Sequence, residues 1–551
     1  MKPPVSPHLG HRQRERRTGP ACFGLRDVLA PSARRGASAR ATVIGLLLLL
    51  ASRPLAAQLD LGGAPLPGGD EHWYRRSRSL LEAEAADPWR DRLTRPLPAR
   101  GLHWRPLRAE LRTVFNSDRP SPDDNDGVVW AGRGLTASAQ TGLEVRWRVL
   151  HLQLAPIVFR AENRAFPLLP NGRTDQTRFG DPRFPGNIDA PQRFGDAPYE
   201  RLDAGDSFLA LRALGLTTGL SASRMIWGPA REYPLVLGAT AGGFPHLFIG
   251  TDGPRHVPFL GVVEGRLIAA RLEQSAWSPV QSGESRRFHS GLVLSLKPAI
   301  VPWWEVGATR TETGAWPAGG PTVQDALGPL SGVLNAGNTS SLNSTGTNGF
   351  ASIFTRVAVP GAGLELYGEL SWEDFANDAR RFLQKIDDLN TYTIGIGRAW
   401  IRREALHRLG VESTNGEVSH QERGQRGFVT PFPPYTHAPT YQGLTSNGQF
   451  LGSGATYRGS GSTIRYSRQS PAHDLQVRLT RDRLLDALPS DIGAEIVTSA
   501  LGAAVYWTWL GHRVERAVSF GYTHVLPSAA PTQPQPAGWQ VGVRLRARLV
   551  P

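Results

Sequence analysis

Cysteine is almost missing from this 551-residue chain: Cys22 is the only thiol. A disulfide-stapled scaffold and a thiolate metal cluster are therefore excluded. Lysine is scarce as well, 3 residues out of 62 basic ones, a bias that reads as genome composition rather than as a site. Long apolar runs are lacking with a single exception, 41–51 (Ala-Thr-Val-Ile-Gly-Leu-Leu-Leu-Leu-Leu-Ala), and a helix needs about 18 apolar residues to cross a bilayer. A helical bundle in lipid is thus ruled out, while the mean hydropathy of −0.29 still permits a barrel with a polar inner face. Catalytic signatures are absent too. The sequence has no H-E-x-x-H, G-x-S-x-G or G-x-x-x-x-G-K-[ST], and its 14 histidines lack metal-like spacing. Asp123-Asp-Asn-Asp-Gly127 has the composition of a calcium loop, but Pro122 stands at its first position and no Glu at its twelfth. Glu264, Glu273, Glu373 and Asp374 read as solvated charges rather than as an acid–base pair. No enzyme, cofactor or metal is expected.

The one apolar run follows a basic lead and precedes Arg53-Pro-Leu-Ala-Ala57, the layout of an export signal cut after Ala57. Cys22 lies upstream of it and would leave with the leader. Residues 1–57 also hold ten Lys and Arg against Glu15 and Asp27, so most of the formal +14 goes with them and about +6 remains. The high isoelectric point then says little about nucleic acid, which is not expected as a partner.

What remains is rich in turns, with 61 Gly and 44 Pro spread along the chain, as many short strands require. Residues 58–100 open on a Gly/Pro-rich stretch and continue into Glu71–Arg92, where Trp73, Leu80, Leu81 and Ala85 share a helical face. A short periplasmic helical segment is predicted there, and a barrel over 101–551. In Leu143-Glu-Val-Arg-Trp147 the apolar side chains alternate with Glu144 and Arg146, and in Leu150-His-Gln-bearing 150–154 they alternate with His151 and Gln153. Two residues join the runs, so they form a hairpin of the tight kind found at the periplasmic end of a barrel. Alternation returns at 292–297, 364–370 and 392–398. At the C-terminus Val541, Val543, Leu545, Ala547 and Leu549 alternate with Gly542, Arg544, Arg546 and Arg548. Alone, that strand fits the wet face of a soluble sandwich equally well. Its place at the end of an exported chain favours a closing barrel strand with the three arginines lining the lumen, although many such barrels end on an aromatic residue and this chain ends Val550-Pro551.

Between the strands run the polar stretches 167–200, 311–348 and 416–461, read as extracellular loops. The first and last carry Phe179, Phe184, Phe194, Tyr199, Phe428, Phe432, Tyr435 and Tyr441 among planar polar groups. Rings stack on sugar faces while amides, carboxylates and guanidinium groups bond hydroxyls. The same rings also suit small local cores.

One stretch is more specific. Trp227-Gly228-Pro229 is followed by an apolar run and then by Gly243-Phe244-Pro245-His246-Leu247 and Pro254. This block resembles the Wzi family of capsule assembly proteins, and looser likeness extends over about 100–420, through 125–134 and 365–374. The resemblance implies an all-β, transmembrane antiparallel barrel of the outer membrane with short periplasmic helices ahead of it. It implies a surface lectin that holds capsular or other surface polysaccharide through variable loops, whose saccharide contacts do not transfer residue by residue. The motif residues themselves read as structural anchors of an inward loop or a girdle. At ten residues per strand plus connections, the mature length allows about 16–20 strands, and about 18 are expected. Outer-membrane lipids are the other expected partner, and the barrel is expected to be a monomer. An anion-selective diffusion porin, motivated by Arg544, Arg546 and Arg548, is the alternative, and a barrel hydrolase the third class.

Overall fold

A computed structural model describes residues 70–81, 99–120, 126–182, 184–278, 285–334, 347–373, 390–416, 433–437, 440–485, 497–511, 513–526 and 539–549. The expected leader 1–57 lies outside them.

Apart from a short pair, Thr445–Ser446 with Gln449–Phe450, the described strands form one antiparallel sheet of 23 segments. Five strands, 99–116, 134–148, 150–161, 199–213 and 246–257, are each interrupted once and count as two segments, which leaves 18 strands. Each pairs with its neighbours in sequence, and the last, Trp539–Leu549, returns to the first, with Arg548 opposite Glu110 and Gly542 opposite Asn116. The first strand pairs in turn with the second, through both of its segments. The ladder therefore has no edge, which is how a sheet satisfies its backbone in lipid. The expected strand number and closure by the C-terminal strand are both found.

The connections alternate in length. At one end Leu214-Gly215 and Arg403-Glu404 are two-residue turns with positive φ at both positions (51°, 81°, 49° and 60°), the geometry that matches hairpin twist. The predicted hairpin at 143–154 turns here as well, with Trp147 opposite Leu150. At the other end the strands are joined by 162–198, 222–245 and 416–458. Short turns mark the periplasmic side of such barrels and long connections the outside. In Asn390–Arg402 the pleat sorts the side chains cleanly: Thr391, Thr393, Gly395 and Gly397 face in, while Tyr392, Ile394 and Ile396 face out. Ile394 is 54% exposed and Ile396 47%, values that fit a lipid-facing belt. Exposed Trp147, Trp303, Trp304 and Trp507 gather near the short turns, as an interfacial girdle does.

Helix α1, Asp70–Leu81, packs Leu80, Leu81 and Tyr74 on Ala358, Ala399 and Leu406 at the short-turn end. Ala85 and the side chain of Trp73, which share its predicted face, lie outside the described residues. Two boundaries shift. The first strand starts at Ala99 rather than 101, and Trp304–Ala315 runs into the stretch expected as a loop, which also holds helix α2, Val323–Leu334. Strand text there was masked by Thr and Glu, which a lumen face accepts as readily as a loop does.

Candidate functional site

The largest apolar cluster sits inside the barrel, and the segment 222–245 supplies its centre. This segment leaves strand Leu216–Ser221 and turns inward before strand His246–Thr251 begins. Its ends are pinched so closely that a Cβ on Gly243 would stand 1.8 Å from the Ala222 carbonyl oxygen. Trp227 N–H donates to Leu237 O at 3.0 Å, and its fully buried indole lies against Gly291 of the wall. Gly228 adopts φ +85°, and a Cβ there would meet the Glu369 carboxylate at 2.5 Å. A second segment, 433–458, packs over the first from the long-loop side. Tyr435 Oη donates to Leu235 O and Gly238 N–H to Leu451 O, both at 2.7 Å. Arg287 of the wall donates to Gly443 O at 2.6 Å and Thr445 O at 2.9 Å.

Buried carboxylates hold this plug to the wall. Glu412 accepts the backbone N–H groups of Arg231, Glu232 and Tyr233 at 2.8, 2.9 and 2.7 Å, and the Tyr367 hydroxyl at 2.6 Å. Successive N–H groups turned toward one anion form a nest, which needs no cation to be stable. Glu365 meets three guanidinium groups: Arg76 at 3.0 Å, Arg356 at 2.9 Å and Arg408 at 2.6 Å. Arg76 reaches it from α1, donates also to Pro229 O at 2.7 Å, and lies over the Tyr367 ring at 5.1 Å. Arg465 forks onto Glu232 at 2.8 and 2.9 Å. Helix, plug and wall are thereby joined by charge-assisted bonds, the strong kind.

The opposite side of the lumen is hollow because its wall is built from small residues. Ala500, Gly502 and Ala504 of Val497–Trp509, Ser519 and Gly521 of Val514–Leu526, and Gly542 of Trp539–Leu549 line it. They leave a cavity of about 360 Å³, within the range of pockets that hold small ligands. Into it face Arg119, Asp126, Arg478, Asp482 and Arg544, the amides of Asn116, Gln192, Gln449 and Gln540, and the rings of Trp130, Phe166, Tyr457 and Tyr506. Asp126 accepts from Arg112 at 2.9 Å and from Arg544 at 3.2 Å, so this edge is preorganised. Toward the short turns the same inner face becomes bulky and paired: Arg548 bonds Glu110 at 2.6 Å and Glu515 at 3.3 Å, and Gln476 bonds Asp474 at 2.8 Å.

The residues singled out from sequence divide accordingly. Trp227, Gly228, Pro229, Gly243, Phe244 and His246 are brought together in or beside the plug, with Phe244 edge-on to His246 at 5.6 Å and the His246 Nδ1 bonded to Phe244 O. Pro245 and Leu247 turn outward, and Pro254 lies apart, in the interruption of strand 246–257 toward the short turns. Arg544 lines the chamber, whereas Arg548 belongs to the ion pairs beneath it, and Arg546 lies between them on the same strand. The loop aromatics are mostly packed away. Phe179, Phe194 and Tyr435 are buried, and Phe194 stacks on Tyr199 at 4.5 Å with Trp277 edge-on to both. Only Tyr441 among the described ones is well exposed, and Phe428 and Phe432 fall outside the described residues. Of the two readings of these rings, the structure favours small local cores, where burial gains more than presentation to sugar. Glu264 and Glu373 are enclosed in the lumen, Glu373 accepting from Asn348 at 2.9 Å and Tyr435 N–H at 3.0 Å. Asp374 lies outside the described residues. Sequence reading missed Arg478, Asp482 and the small-residue wall, whose signal was the run of Ala and Gly on one alternation of 500–504.

Comparison with known proteins accords with this architecture. A sequence profile of the family described as capsule assembly protein Wzi matches residues 136–508. No curated protein matches the chain by sequence. Among solved structures, the Escherichia coli outer-membrane protein Wzi, described as a carbohydrate-binding β-barrel involved in group 1 capsule assembly, superposes with a TM-score of 0.53. It is 14% identical, over 80% of this chain and 83% of that one. Acinetobacter baumannii OccAB2 gives a TM-score of 0.40 at 9% identity over 80% and 97%, and Pseudomonas aeruginosa OprD 0.38 at 10% over 82% and 96%. With its profile match spanning most of the closed barrel, the chain belongs to the family of capsule assembly protein Wzi.

Proposed function

We propose that this outer-membrane barrel binds surface polysaccharide, capsular polymer in the first place, in the lumen chamber, and that it assists capsule assembly or attachment without altering the polymer chemically. The observation that carries this reading is the chamber itself. It pairs partly exposed guanidinium and carboxylate groups and amides with aromatic rings, the combination that bonds hydroxyls and covers C–H faces. Family membership supports it, and so does the described carbohydrate binding of the Escherichia coli relative. The porin reading fits less well, since the inward segment and the Glu365 and Glu412 anchors occupy the lumen that a diffusion path would need.

Gly521 provides the test. A Cβ there meets nothing closer than 3.8 Å, so this position of the chamber wall admits a side chain, and Gly521→Trp adds bulk to the chamber. Detergent-purified protein is expected to retain capsular polysaccharide, and the variant to bind it at least about tenfold more weakly, which corresponds to about 1.4 kcal/mol. Equal retention by the variant would move the site out of the chamber. No retention by the unaltered protein, with a normal capsule in a deletion strain, would end the reading.

A further inference from the structure

We infer that the chamber receives the terminus of a polysaccharide chain rather than an interior stretch, so that one barrel engages one end of one polymer. This rests on the chamber being the saccharide site.

The reason is topological. An interior stretch must enter a site and leave it again, which takes an open groove or two openings. Among the described residues the chamber is walled on three sides. The closed ladder of strands 473–549 and 99–116 forms its outer wall, and the plug forms its inner one through Gly448, Gln449, Phe450 and Tyr457. Toward the short turns the inner positions of successive strands carry Asp474, Gln476, Glu515 and Arg548, tied to one another or to Glu110. Where those bulky pairs give way to Ala504, Ser519, Gly521 and Gly542, the space opens, and it lies toward the long connections, from which Phe166, Leu169 and Gln192 border it.

Size agrees with shape. A cavity of about 360 Å³ falls at the small end of ligand pockets, of a size for a short terminal segment. Chemistry agrees too, because a terminal sugar presents a hydroxyl that is consumed by the glycosidic bond in every interior residue. Asp126, Arg478, Asp482 and Arg544 border the space that such a group would enter, and a site that hydrogen-bonds a hydroxyl discriminates against a ligand lacking it.

The experiment counts barrels per polymer. Capsular polysaccharide of the producing strain, fractionated into lengths spanning about tenfold, is titrated with full-length protein in detergent and the complexes are weighed by light scattering. One barrel per chain at every length, lost in Gly521→Trp, is the expected result. A count that rises in proportion to length would overturn end recognition while leaving saccharide binding intact. A complete absence of complexes with the unaltered protein would instead overturn both. Because stoichiometry is read on the unaltered protein, the outcome does not depend on the variant folding.

Discussion

Glu365 faces three guanidinium groups in a fully buried setting, so the cost of losing it differs from the cost of losing any one partner. Replacing it by Ala removes the carboxylate that Arg76, Arg356 and Arg408 share and leaves Glu305, 4.0 Å from Arg356, as the nearby counter-charge. Breaking a buried pair this way typically costs about 3–5 kcal/mol. Glu365→Ala is therefore expected to lower the temperature at which the folded, fast-migrating form disappears from unboiled gels by far more than Arg76→Ala, in which Glu365 keeps two partners. Equal effects would show that the three arginines do not share one counter-charge. Gly228 makes a second demand of a different kind. Its φ of +85° disfavours any side chain, and the Glu369 carboxylate occupies the place a Cβ would take. Gly228→Ala is expected to cost about 1–3 kcal/mol on the same gel assay, and a neutral result would mean that the plug can shift at this point.

Elements differ in how far the sequence announces them. The hairpin at 143–154 and the strand at 539–549 were legible because one face meets lipid and the other water, and a strict period of two has no other economical explanation. The eighteen-strand count came from length and family likeness, and the pairing bears it out. The plug was legible only as anchoring residues: Trp227 and Phe244 stood out, but an apolar segment between two strands looks alike whether it folds inward or lies on a surface. Ion pairs such as Arg76 with Glu365 join residues 289 apart, a relation that no local pattern encodes. The long connection 162–198 illustrates the point, since its aromatic content suggested presentation and its packing shows burial. Asp189 within it accepts both the N–H and the hydroxyl of Ser275 at 2.6 Å. Burial pushes its carboxyl up, beyond what those bonds and Arg287 pull down, so the folded value stands above the unfolded 3.8. A raised acid stabilises the packed loop fully below the unfolded value and loses that contribution as pH climbs through the folded one. Protection of the Ser275 amide from hydrogen exchange, corrected for intrinsic rate, is expected to fall as pH rises above the unfolded value of 3.8. The fall should be flatter in Asp189→Asn, and a steeper one would assign the dependence to another group.

At the scale of the whole molecule the question is whether a barrel of this circumference conducts. Eighteen strands enclose a lumen wide enough for an aqueous channel in porins, and arginines on its inner face would select anions. What decides against a path is how the inside is divided. One half is filled by a core that includes Trp227, Leu235, Leu237, Tyr435 and Tyr457, all nearly or fully buried, and is tied to the wall by Glu412 and Glu365. The other half narrows from a chamber into the ion pairs of Arg548 with Glu110 and Glu515. Opening the filled half means breaking the buried charged bonds of Glu365 and Glu412, at several kcal/mol each, so thermal opening of that half is rare. Reconstituted into planar bilayers, the protein is expected to show no steady single-channel current at moderate voltage. Arg548→Ala together with Glu515→Ala thins the floor while sparing the plug, and is expected to admit small, brief, ion-selective events if the division drawn here is right. A large steady anion current from the unaltered protein would contradict it, because the plug and its anchors would then have to leave the lumen.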